Sequence, residues 1–120
     1  GPGVRFEVID LITGPVPRAD LVFCRDCLVH LSNEHAQTAL RSIARSGSEW
    51  LLTTTFPGVP ANADISTGQG RKIDLTKPPF NLPAPERLIA EGREGVRGQL
   101  PGKMLGLWRV EQLPVVGDSA

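Results

Sequence analysis

Neither sign of charge is in excess in this chain: 13 Lys and Arg residues balance 13 Asp and Glu residues among 120. With no net field to draw in a phosphate backbone or an anionic bilayer, neither nucleic acid nor a membrane is expected as the main partner. Long apolar runs are lacking too. Each is cut short by charge or proline, well below the roughly 20 residues that span a bilayer. The opening residues, GPGVRFEVID, have no basic region followed by an apolar stretch, so no secretory signal is read there. A cytoplasmic location is the expectation, and in that compartment the two cysteines, Cys24 and Cys27, are reduced by default. There is no internal repeat and no low-complexity tract, and 120 residues of 40% apolar content suit one core.

What is there alternates between strand and helix signals. Val4 to Ile9, VRFEVI, is β-branched and alternating, and reads as a strand that ends at Asp10. The connection LITGPVPR is too short and proline-broken for a helical crossover, so this strand and the next are not expected to be parallel neighbours. Ala19 to Cys24 is nearly all apolar after Asp20, which predicts a central strand buried on both faces. Ser32 is placed to cap a helix over residues 33–46, with Glu34 in the first turn and Ala36, Ala39, Leu40, Ile43 and Ala44 on one face. Gly47 suits its end.

Glu49 to Phe56, EWLLTTTF, is a strand by its apolar and threonine content, stopped by Pro57. Strand, helix and strand make a βαβ unit. Residues 57–85 are rich in Pro and Gly, a composition of functional or mobile loops, with one short strand expected at Arg71 to Leu75. Glu86 to Glu91 is expected as a short helix and Met104 to Glu111, MLGLWRVE, as a late strand. The expected organisation is one domain over residues 3–113 and a flexible tail over 114–120.

The segment FCRDCLVHLSNEH carries Cys24, Cys27, His30 and His35. A C-x-x-C after a strand is the arrangement that lowers a thiol pKa in disulfide oxidoreductases, but no Trp-Cys-Gly-Pro-Cys pattern accompanies it. The four residues are the right types for zinc, yet their spacing is compressed, and His35 lies beyond the Ser32 break. Small, buried core cysteines are the third reading, and the favoured one; no metal site is assigned.

The order of the motifs VRFEVID, ADLVFCR, DCLVHLS, NEHAQTALRSIARSG, WLLTTTF, TKPPFNLPAP and MLGLWRV resembles the C-terminal half of a class I S-adenosylmethionine-dependent methyltransferase domain, over residues 4–111. The resemblance implies an α/β fold, a partial Rossmann-like sheet with flanking helices. It implies S-adenosylmethionine as cofactor and a small molecule as the acceptor of its methyl group. By position, Asp10 would accept a hydrogen bond from the adenine amino group and Leu11 would lie against the ring. Cys24 and Arg25 would line the cofactor side of the cleft, where ligands of open α/β sheets gather. Asp26 and His30 would face the methyl group or substrate, and His30 has the ordinary pKa that best suits a general base near neutrality. The bland readings of these residues are a capped turn, a surface ion pair between Arg25 and Asp26, and a packing histidine.

The chain departs from the family in one large respect. It contains no Gly-rich loop following a strand: GPG follows none, and STGQGRK follows a loop. The family's first two strands are thus missing or replaced, which would bare the edge of the sheet unless a second copy, making a homodimer, or a partner chain covers it. The alternative to an enzyme is a non-catalytic binding or oligomerisation module built on the same framework.

Overall fold

The computed structural model describes residues 15–90 and 102–114. The segment expected as the first strand, with Asp10 and Leu11, and nearly all of the expected tail lie outside them. Four strands form one mixed sheet: β1 (Leu21–Cys24), β2 (Trp50–Thr55), β3 (Arg87–Ala90) and β4 (Met104–Arg109). Their spatial order is β1-β2-β4-β3, with β1 and β2 parallel and the other two pairings antiparallel.

The parallel pair is joined by the helix α1 (Asn33–Arg45), as the sequence pattern requires. Ser32 caps it, its Oγ accepting the His35 amide hydrogen at 3.1 Å. Gly47, at φ 74°, takes the left-handed turn after the helix that a side chain would resist. Ala36, Ala39, Leu40 and Ile43 form the buried stripe.

Strand register fixes what that stripe meets, because directly paired residues share a face. Cys24 pairs with Thr53, Leu51 with Trp108 and Thr53 with Gly106, and all of these are buried. The indole of Trp108 is fully buried and closes its polar end by donating from Nε1 to the Pro83 carbonyl at 2.7 Å. Gly106 makes room for it: a Cβ there would lie 2.5 Å from the ring. The opposite face carries Leu21 and Phe23, which are 45% and 56% exposed, and Ile89, which is 42% exposed.

Three expectations need correction. The helix expected over Glu86 to Glu91 is replaced, within its described residues, by strand β3 at Arg87–Ala90, paired with β4 from Arg87↔Leu107 to Ala90↔Met104. Six residues behind Pro83 and Pro85 are too few to nucleate a helix, whereas β4 offers ready ladder partners. Arg71 to Leu75 forms no ladder, because its backbone amides go elsewhere, Asp74 N–H to Asn62 Oδ1 and Leu75 N–H to Thr55 Oγ1. Among the described residues β2 and β4 are the strands flanked on both sides, while β1 pairs on one side and exposes alternate residues rather than being buried on both faces.

Candidate functional site

The carboxyl ends of β1 and β2 and the start of β4 converge, because β4 runs antiparallel and pairs Met104 with Thr55. Three consecutive threonines on β2 wire this end together. Thr53 Oγ1 donates to the Cys24 carbonyl at 2.7 Å, Thr54 Oγ1 accepts the Asp26 amide hydrogen at 2.9 Å, and Thr55 Oγ1 accepts that of Leu75 at 3.1 Å. All three are buried, and each hydroxyl is paired with a backbone group.

Asp26 sits where the chain turns after β1, in the left-handed region at φ 55°, a conformation that Asp tolerates better than most residues. Its carboxylate meets Lys103 Nζ at 2.6 Å, while Arg25 Nε lies 3.8 Å away. The Lys103 side chain is only 11% exposed against 43% for Asp26, so the pair has one buried partner and one facing solvent. Arg25 is exposed; Cys24 is 1% exposed and belongs to the core.

His30 ends the short 3-10 turn Leu28–His30 and is exposed. Its Nδ1 lies 2.9 Å from the Gln69 carbonyl, which can only accept, so Nδ1 carries the hydrogen and the neutral ring keeps its lone pair on Nε2. Gly70 allows this approach, since a Cβ there would stand 3.1 Å from His30 Nδ1. His35 turns to the same loop from another direction, with Nδ1 at 2.6 Å from Thr67 Oγ1. The two histidines therefore hold the Pro- and Gly-rich loop rather than converging with the cysteines. Among the described residues no group of three or more His, Cys, Asp or Glu side chains is placed to hold a metal ion.

Arg71 is the main clasp of that loop. Its guanidinium donates to the carbonyls of Ala63, Leu28 and Val29 and to Asn33 Oδ1, and its own amide donates to the Val29 carbonyl. Asp64 completes the contact by accepting the Asn33 and Ile65 amide hydrogens at 2.9 Å each. Those two bonds, the Asn33 amide first, and the charge of Arg71 hold its carboxyl below the usual carboxylate range against a small effect of burial. Further along, burial works to raise the Asp74 carboxyl, but the Thr76 hydroxyl and amide, the Gly58 amide and the charge of Lys77 together keep it below its ordinary value.

No family model matches the chain, and no curated protein matches it. A solved structure does: PigF with SAH, at a TM-score of 0.53 and 16% identity, over 83% of this chain and 33% of that chain. The two share a fold. At that identity the likeness is one of architecture alone, and this chain spans about a third of the length of the structure it matches. The α/β architecture expected from the motif order is thereby supported.

Of the residues singled out from sequence, Arg25 and Asp26 come together with Lys103, and His30 faces the loop at Gln69 and Gly70. Sequence reasoning missed Lys103, Thr54 and Arg71. The run Thr53-Thr54-Thr55 at a strand's end was a usable signal, because side-chain hydroxyls buried there need partners; Lys103 and Arg71 carried none.

Proposed function

We propose that this chain is a methyltransferase-like unit whose β1 and β2 carboxyl ends contribute to a site for an S-adenosyl cofactor, with a small molecule as methyl acceptor. The observation that carries the reading is the fold shared with a structure holding SAH, joined to charged groups gathered where open α/β sheets bind ligands. Arg25, Asp26 and Lys103 fit the charged end of an S-adenosyl group, offering cations to its carboxylate and an anion to its ammonium. S-adenosylmethionine, when bound, supplies an electrophilic methyl on a sulfonium. In this reading Asp10 and Leu11 meet the adenine, Cys24 and Arg25 border the cofactor, and Asp26 or His30 Nε2 takes the acceptor's proton.

A second reading is a non-catalytic binding or oligomerisation module, favoured by the apolar side chains that β1 presents, Leu21 and Phe23. In either reading we propose that a second copy covers this edge and makes a homodimer.

Calorimetric titration with S-adenosylmethionine and SAH tests the first reading. Binding at micromolar concentrations, lost in Asp10→Ala and weakened in Asp26→Asn, is the expected result. The absence of binding at millimolar cofactor overturns it and leaves the module. Light scattering tests the dimer, and a monomer across the accessible concentration range refutes that part.

A further inference from the structure

In the methyl-transfer reading Cys24 only borders the cofactor and Cys27 has no part, so the thiol chemistry of the pair is left without a role. Cys24 ends β1, the chain reverses through Arg25 and Asp26, and Cys27 begins the 3-10 turn. A four-residue turn brings its end residues within about 7 Å, and a disulfide needs a Cα separation of about 4.4–6.8 Å. The proximity of the two thiols lowers the Cys27 pKa from its ordinary value, against burial and the charge of Asp26, and together with burial raises that of Cys24. Access is unequal, since Cys24 is 1% exposed and Cys27 is half-buried. When protonated, Cys27 Sγ points at the Arg25 carbonyl, 3.3 Å away, across the same turn.

We infer that Cys24 and Cys27 form a dithiol exchange site for small-molecule disulfides, with Cys27 as the attacking thiol and Cys24 as the resolving one. The Cys27 thiolate attacks one sulfur of the disulfide, forming a mixed disulfide and releasing one thiolate, which takes a proton from water. Cys24 then gives up its proton to water and attacks Cys27 Sγ. That step closes the Cys24–Cys27 bond and releases the second thiolate, again protonated from water. Two protein thiols are oxidised and one small disulfide is reduced to two thiols. The positive φ of Asp26 turns the chain between the two cysteines, and Cys27 caps the 3-10 turn that follows. Thiol exchange at this turn does not depend on cofactor binding.

The test is incubation of the native protein with millimolar oxidised glutathione, followed by intact-mass measurement and thiol titration, with circular dichroism confirming that the fold persists. The expected product has lost two hydrogens and both thiols and carries no glutathione. Under the same conditions Cys27→Ser keeps its remaining thiol, and Cys24→Ser stops at an adduct with one glutathione. Retention of both thiols by the folded wild-type protein overturns the proposal. So does a wild-type product that remains at the one-glutathione adduct. Both of those readouts come from the unmodified protein, so they decide the matter even if Cys24→Ser fails to fold.

Discussion

The two halves of this molecule are held by different physics. The layer of α1 against β2 and β4 is fastened by burial: Ala36, Ala39, Ile43, Leu51 and Trp108 are fully buried, and few polar groups intrude. The loop over residues 57–85 sends Ile73, Leu75, Phe80 and Leu82 into the same core but adds many directed bonds, with Arg71, Asn62, Asp64 and Asp74 each committing a side chain to backbone groups. Asn62 alone donates to the Asp74 and Pro78 carbonyls and accepts the Asp74 amide hydrogen. Burial is non-directional and tolerates similar shapes, whereas a bonded loop depends on particular atoms. Damage to the first should cost stability everywhere, and damage to the second should act locally.

The largest expected effect breaks the buried layer. Trp108→Ala removes the central aromatic and its bond to Pro83, at a cost of about 3–5 kcal/mol; chemical denaturation should show the whole chain unfolding at lower denaturant. Next comes the loop clasp. Arg71→Ala removes the guanidinium donors from the Leu28, Val29 and Ala63 carbonyls, of which Leu28 and Val29 keep a backbone donor each, costing about 1–3 kcal/mol. Arg71→Lys should recover little, because one ammonium cannot reproduce the guanidinium fork. Hydrogen exchange should then quicken across residues 62–75 and stay slow in β2; uniform acceleration would contradict the contrast between the two halves.

A smaller effect comes from pH. Asp74 has a folded pKa below its unfolded value, so its contribution is full above the unfolded pKa of about 3.9 and is lost as pH falls through the folded value. The stability gap between the wild type and Asp74→Asn should therefore narrow between neutral and strongly acidic pH, and a constant gap would show that the carboxylate charge is irrelevant. Smallest is Ser32→Ala at the α1 cap, about 1 kcal/mol, softened here because Asp64 and Thr67 also serve that end. A double variant with Asp64→Ala should lose more than the sum of the two single changes, and strict additivity would show that the two caps act independently.

The legible parts of the fold were those with local periodicity. The apolar stripe of α1, its Ser32 cap and the flanking strands are written within about thirty residues, so the βαβ unit could be read directly. β3 was misread because four residues of mixed character carry no decisive period, and the choice was made by pairing with β4, which the sequence does not display. The strand expected at Arg71 to Leu75 does not form because the Asp74 and Leu75 amides are satisfied by Asn62 and Thr55, partners that proximity supplies and pattern does not. At the candidate site Arg25, Asp26 and His30 were legible as chemistry-bearing residues after a strand. Lys103, which completes the ion pair with Asp26, was not, since it lies most of the chain away.

The sequence by itself determined the helix, the strands around it and the order of motifs, because spacing, capping and turn preferences act over a few residues. Only the tertiary structure decided that β4 lies between β2 and β3, that both histidines serve the loop, and that Lys103 meets Asp26. Those outcomes depend on contacts between distant segments, whose free energy arises once the layer of α1 on the sheet has brought them together.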